Sequence, residues 1–317
     1  MKKLLLSLSL LATSFGFSQV TVFQDSFDTY NDFLISGFGQ WQTLDLDLLP
    51  TYTGGTVGDP TWANAGAPQA YQIFNPTTAL VTNSNAGCSS TTENINFNPR
   101  TGAKFAACWA AVPSTTGGPT ANNDWLVSPP INLTGATGSS LNFWVKSLSD
   151  CYGLEKYKIG VYIGSGNPIQ SSDFTIISGL GNLTSSSWTA WTQRTQSLSA
   201  YDGQTIRIGI QCVSDDKYMF MIDDFTVTAA TMSSSDFVAS KLSVYPNPVN
   251  DIVNISNYGD LEINKIVFTD INGRTVKSLN LNGVSESQIN ISELNAGVYF
   301  MNIDTNEGSA TKKIVKK

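Results

Sequence analysis

Apolar and polar residues alternate with a period of two in one short segment after another between residues 20 and 229, and this pattern restricts the chain to β structure. Leu141-Asn-Phe-Trp-Val145 and Lys158-Ile-Gly-Val-Tyr-Ile163 alternate, and in Ile206-Arg-Ile-Gly-Ile-Gln-Cys212 every even position would face one core. Gly-Gly, Asn-Pro, Pro-Pro and Gly-Ser clusters separate the segments, as turns require. No helical pattern lies between them. Each segment can bury one face only, so two sheets packed face to face are the expected solution. Charged residues make up only 14% of the chain, and the polar positions fall to Ser, Thr, Asn and Gly, which suit turns and strands better than long helices.

The same composition removes several functions. The net charge of −7 and the pI of about 4.6 repel a phosphate backbone, so nucleic acid is not an expected partner. The 317 residues contain no histidine, which removes the usual general base at neutral pH and the commonest zinc ligand. A Ser-His-Asp or Cys-His arrangement is therefore impossible, and no G-x-S-x-G elbow occurs. Chemistry based on two carboxylates remains open; the region 19–230 holds two glutamates, Glu93 and Glu155.

The N-terminus reads as an export signal. Lys2 and Lys3 precede a short apolar run over Leu4–Phe17, and Gly16 and Ser18 are the small residues before a cleavage point at Gln19. The run is too short for an ordinary membrane span, and no later segment is long and apolar enough for one, so no transmembrane segment is expected in the mature chain. In an exported chain Cys88, Cys108, Cys151 and Cys212 are disulfide candidates. Three pairings are possible; Cys88–Cys108 with Cys151–Cys212 is the favoured expectation.

A polar stretch, Thr231-Met-Ser-Ser-Ser-Asp236, divides the chain into a region 19–230, a linker 231–240 and a second strand series over 241–317. That last region contains Tyr245-Pro-Asn-Pro-Val-Asn-Asp251, then Phe268-Thr-Asp-Ile-Asn-Gly-Arg-Thr-Val276, Leu294-Asn-Ala-Gly-Val-Tyr-Phe300 and Lys312-Lys-Ile-Val-Lys316. In order and spacing it resembles the type A sorting domain of the type IX secretion system. The resemblance implies a small Ig-like β-sandwich that acts as an address. It makes the secretion machinery a partner and the outer surface of a Gram-negative cell, or the medium, the destination.

The region 19–230 resembles the cleaved-adhesin, or choice-of-anchor J, jelly rolls. The matching residues are Phe23-Gln-Asp-Ser-Phe-Asp28, Trp41-Gln-Thr-Leu-Asp-Leu-Asp47, Asn123-Asp-Trp-Leu-Val-Ser-Pro-Pro-Ile-Asn-Leu133 and Met221-Ile-Asp-Asp-Phe-Thr-Val227. The Asp45–Asp47 segment continues into Leu-Leu-Pro where family members often have Gly-Asp-Gly, which puts a ligand role for that loop in doubt. The resemblance implies that the opening acidic strand lies beside the closing Ile-Asp-Asp strand. No Lys or Arg lies within either motif, and an oxygen-only donor set favours calcium. The expected ligands are Asp25, Asp28 and Asp223, followed by Asp224 and Asp124. Trp125 and Trp144 are expected in the core, and Trp62 and Trp191 on the surface as platforms for a ligand. The expected fold is thus all-β, a jelly-roll β-sandwich followed by a small Ig-like β-sandwich. The expected function is that of a secreted adhesin or carbohydrate- or protein-binding module and not an enzyme. A carboxylate-dependent hydrolase and a purely structural surface module are the alternatives.

Overall fold

The computed structural model describes residues 19–54, 60–89, 91–232, 234–257 and 261–317, and of residues 234–236 the backbone alone. The expected signal peptide lies outside the described residues. The region 19–230 is a sandwich of two antiparallel sheets. One runs Thr192–Ser197, Ser140–Ser147, Met219–Ala229, Phe105–Trp109 and Gln72–Phe74, and Val20–Asp25 also pairs with Met219–Ala229. The other runs Thr175–Ile176, Lys156–Ile163, Thr205–Cys212, Asp124–Val127 and Gln42–Asp45, with two short strands added to it. The opening and closing strands therefore lie side by side, from Val20 opposite Ala229 to Asp25 opposite Phe225, with a register shift between Thr21 and Phe23.

Alternation fills the space between the sheets. Leu141, Phe143 and Val145 point inward from one sheet and meet Ile159, Val161, Ile206, Ile208 and Ile210 from the other, all fully or almost fully buried. Trp144, on the opposite face of its strand, is only half-buried, and the Arg100 guanidinium lies 3.9 Å above its ring. The expected core role of Trp144 is thus corrected: in a strict period-two strand it cannot share the face of its two neighbours. Trp125 is fully buried, stacked on Phe174 at 4.0 Å on the outer face of the second sheet. It lies over Gly160 and Gly209, which oppose each other in register; a Cβ on Gly209 would come within 2.6 Å of the indole.

The outer face of the first sheet is covered by its own loops. Trp62, Phe74, Phe97, Phe105, Trp109 and Met221 form a second, aromatic core there. A short helix, Pro76–Ala79, opens that cover and is capped by the Asn75 side chain.

Because neighbouring strands run in opposite directions, the loops gather at two ends. One end carries residues 133–139 and 198–204 and the exit of Met219–Ala229 toward the second domain. The opposite, distal end carries residues 46–54, 110–123, 148–155 and 213–218.

The second domain packs Leu242–Tyr245, Ile252–Asn257 and Glu286–Asn290 against a four-stranded sheet of Thr275–Val284, Ile263–Asp270, Gly297–Thr305 and Gly308–Lys316. The Asn272-Gly273 turn forms as its residues require: Gly273 has φ 78° and the Asp270 carboxylate accepts the N–H groups of Asn272 and Arg274. The expected linker at 231–240 is structured. Thr231–Met232 pairs with Ala136–Thr137, and Ser234–Lys241 is a helix whose Val238 is buried in the core of the second domain. Among the described residues no helix is long and apolar enough to cross a membrane.

Candidate functional site

The acidic seam between the opening and closing strands assembles, but protein donors fill it. Asp25 accepts the Phe27 N–H at 2.8 Å, the Tyr30 hydroxyl at 2.6 Å and the Trp41 indole N–H at 2.7 Å. Asp28 accepts the N–H groups of Ala103 and Lys104 and the Ser26 hydroxyl. Asp223, fully buried, accepts three backbone N–H groups, from Arg100, Thr101 and Asp224. Asp224 pairs with the Arg100 guanidinium at 2.5 Å and accepts the Thr101 hydroxyl. The compensation expected from calcium thus comes, for Asp28, Asp223 and Asp224, from the loop 100–104, distant in sequence and close in space, and for Asp25 from Phe27, Tyr30 and Trp41. Burial, followed by the Asp224 charge, pushes Asp223 up to about 7 against the pull of its amides. The neighbouring Lys146, 1% exposed, is driven down to about 7 by burial while Asp223 holds it up; its ammonium donates to the Asn98 carbonyl at 3.0 Å.

A different carboxylate group does converge. Asp45 and Asp124 oppose each other in register on neighbouring strands at the distal end, and Asp47 follows two residues later. Their oxygens lie within 4.8 Å of one another. Asp47 accepts the N–H groups of Leu49 and Asn123, and Asp45 that of Leu48. Asp124, 1% exposed, receives the Asn122 amide and the Cys108 thiol on one oxygen; its other oxygen, Oδ1, has no hydrogen-bond partner. Burial and then the Asp47 charge hold the Asp124 carboxyl well above the usual range, and burial also raises Asp45. Three carboxylates, one of them with an orphaned buried oxygen, fit a divalent cation. Of the ligands expected from sequence, only Asp124 belongs to this group. The signal that could have found the others was the Asp-x-Asp spacing of 45–47, set aside because Leu-Leu-Pro follows it.

The surface tryptophans are also reassigned. Trp62 is 6% exposed, stacked on Trp109 at 5.9 Å and edge-on to Phe74, so it is not presented to a ligand. Trp191 is half-buried, its indole N–H donating to the Asn98 carbonyl and its ring receiving Lys146 at 5.0 Å.

The exposed aromatic surface lies instead on tyrosines. At the distal end Tyr52, Glu93, Tyr152, Asp216, Lys217 and Tyr218 line a cleft of about 240 Å³. Tyr52 is 36% and Tyr152 47% exposed, while Tyr218 is buried at its floor, with the Tyr152 ring edge-on to it at 5.7 Å. Tyr152 donates its hydroxyl to Glu93, and the Tyr52 hydroxyl bonds to Asp216. Gly54 makes room for the floor: a Cβ there would come within 1.8 Å of the Tyr218 hydroxyl. Glu155 lies beneath, 1% exposed, its carboxyl pushed up to about 7 by burial and accepting the Tyr218 N–H.

One disulfide staples the cleft wall. Cys88 joins Cys151, next to Tyr152. The expected pairing of Cys88 with Cys108 and Cys151 with Cys212 is corrected: Cys88 and Cys151 lie in surface loops, whereas Cys108 and Cys212 are buried on inner strands as thiols. A core strand position cannot reach a surface loop without moving the backbone.

Residues 243–317 match the family model of the secretion system C-terminal sorting domain. No curated protein sequence matches the chain. Among solved structures, the K3 cleaved adhesin domain of Lys-gingipain from Porphyromonas gingivalis is similar at 21% identity, covering 67% of this chain and 99% of that one, with a TM-score of 0.37. The K2 cleaved adhesin domain of Lys-gingipain is similar at 15% identity over 66% and 99%, with a TM-score of 0.40. A CBM61 module solved with β-1,4-galactotriose follows at 12% over 63% and 99%, with a TM-score of 0.35. These likenesses are too distant to say what the first domain binds. The assignment that stands is at the other end: residues 243–317 are a secretion system C-terminal sorting domain, and the chain is a secreted protein of the cell surface.

Proposed function

We propose that this is a secreted recognition module, carried to the outer cell surface by its type IX sorting domain, whose jelly roll binds a glycan. The observation that carries the reading is the tyrosine cleft at the distal end. Two partly exposed aromatic rings offer faces to the C–H surface of a sugar. Glu93 and Asp216 supply acceptors for its hydroxyls, and Lys217 a donor. The cited likenesses to adhesin and carbohydrate-binding domains point the same way without deciding it. A binding role is favoured over hydrolysis because the two carboxylates of the cleft, Glu93 and Asp216, are each already engaged by a tyrosine hydroxyl, and Glu155 is sealed beneath it and turned toward a backbone N–H. The test is a glycan array probed with the purified protein, run beside a panel of glycosidase substrates, with Tyr152→Ala as control. Binding lost in Tyr152→Ala, without turnover, supports the reading; turnover, or binding unaffected by the substitution, rejects it.

Calcium at Asp45, Asp47 and Asp124 is the proposed cofactor, with the orphaned Asp124 oxygen as its strongest support. Binding to the folded state alone would stabilise it by about 2.7 kcal/mol at a hundredfold excess over Kd. The melting temperature is expected to rise with calcium and to stay unchanged by it in Asp47→Asn. Equal midpoints in calcium and in chelator would remove the ion.

A further inference from the structure

We propose that Cys108 and Cys212 are joined in the mature protein by a second disulfide, one that crosses the sandwich. Cys108 sits on Phe105–Trp109 in the first sheet, opposite Phe220, and Cys212 ends Thr205–Cys212 in the second, opposite Asp124 and Tyr157. Both point inward, with 1% and 0% of their surface exposed. The Cys108 Sγ lies 3.6 Å from the Asp124 carboxylate, and Asp124 is the residue directly across from Cys212 on the neighbouring strand. Facing residues in such a pair keep their Cβ atoms about 4.5–5.5 Å apart, which brings the Cys108 sulfur into the immediate reach of Cys212. Cys108 and Cys212 thus sit in one core on the two facing sheets, the placement that a disulfide across the sandwich requires.

The chain is exported, and its surface cysteines Cys88 and Cys151 are already joined. The oxidant for the inner pair is of the same class, the disulfide of an extracytoplasmic thiol oxidoreductase. The thiolate of one cysteine attacks that disulfide, whose S–S bond breaks as a mixed disulfide forms. The second thiolate then attacks the mixed disulfide and displaces the oxidoreductase. Two protons and two electrons leave the pair, and the oxidoreductase departs as a dithiol. Because neither sulfur is accessible in the folded domain, the exchange takes place before the sandwich closes. Afterwards the bond is shielded from external thiols.

The experiment reads sulfur chemistry directly. Full-length protein is collected from the producing cells and medium, unfolded in denaturant with N-ethylmaleimide and no reductant, digested and analysed by mass spectrometry. The expected result is a linked peptide pair containing Cys108 and Cys212, with no maleimide on either. Recovery of both as maleimide adducts, or of Cys108 linked to any other cysteine, overturns the proposal. Folded protein under reductant supplies a second reading: Cys88 and Cys151 are expected to become labelled well before Cys108 and Cys212. Equal labelling of all four would show that the inner pair is not a shielded disulfide.

Discussion

The two domains keep water out in different ways. The sorting domain is packed with aliphatic side chains, Val253, Ile255, Ile263, Ile266, Ile289, Ile303 and Ile314 around Phe268, and it contains neither tryptophan nor cysteine. The jelly roll holds every tryptophan and cysteine of the chain and buries Asp124, Lys146, Glu155 and Asp223 as well. Buried ionisable groups cost free energy wherever they are incompletely paired; among its described residues the sorting domain buries one charged side chain, Lys316, and pairs it with Asp251. An address needs to fold and to show its surface; a recognition domain departs from the simplest packing where it has chemistry to perform. That contrast sets the first domain apart as the one that buries several charged groups, which no single sequence motif announces.

The contrast can be broken most decisively at the level of export. Deleting 297–317 removes Gly297–Thr305 and Gly308–Lys316, two of the four strands in the larger sheet of the sorting domain. The truncated chain is expected to remain inside the outer membrane and to vanish from the medium in fractionation blots, with its jelly roll still folded. Normal secretion would show that the address lies elsewhere.

Thermal unfolding then asks whether the domains are independent. Trp109→Ala opens a cavity among Trp62, Phe74 and Tyr218 and is expected to cost the jelly roll about 3–5 kcal/mol. The transition of the sorting domain should stay in place in calorimetry; a joint shift would mean that the two unfold as one.

The buried charges make a sharper, pH-dependent distinction. The folded-state pKa of Glu155, about 7, stands above its ordinary value of 4.5 because burial disfavours the anion. Its contribution is complete below pH 4.5 and is lost as pH rises toward 7, while the unfolded chain ionises first. Denaturant melts should show the jelly roll losing on the order of 2–3 kcal/mol across that window from this group. Glu155→Gln should make the decline shallower by that amount, leaving the slope that Asp223 and Asp124 contribute; a decline as steep as in the parent would reject the assignment. Lys146 acts in the opposite sense: its folded pKa of about 7 is depressed from 10.5, so its share is lost as pH falls from 10.5 toward 7.

The smallest expected effect is at the cover of the aromatic core. Asn75→Ala removes the cap that accepts from Thr77 and Thr78 and should cost about 1 kcal/mol, read as a small shift in urea midpoint. No shift would mean that the helix Pro76–Ala79 is held by packing alone.

Most of the architecture was legible because alternation is a local signal. Ile206, Ile208, Ile210 and Cys212 all face the core as their spacing requires. Ile263–Asp270 begins and ends where its pattern does. The sites were harder to read because they are assembled from distant loops. Nothing near Asp223 in sequence announces that the amides of Arg100 and Thr101 will reach it. The tyrosine cleft draws on residues 52, 93, 152 and 216–218, none of which belongs to a recognisable motif. The helix Ser234–Lys241, which overlaps the expected linker 231–240, is hard to see for a related reason. Its serines make a poor helical pattern, and what holds Val238 is the core of a domain that follows it.

The pairing of the opening strand with the closing one also sets a timetable. Thr21 and Thr228 are neighbours in the sheet but some two hundred residues apart along the chain. Contacts of such long separation form late and slowly, since a large loop must be closed before they are rewarded. As the domain folds, the first strand therefore keeps an unpaired edge until the closing strand is available. The sorting domain emerges after that strand's partner, so the export address is complete only once everything the cargo needs for closure has arrived. Chain order thereby works as quality control: a product cut short before the last strand lacks both a sealed sandwich and a ticket out of the periplasm.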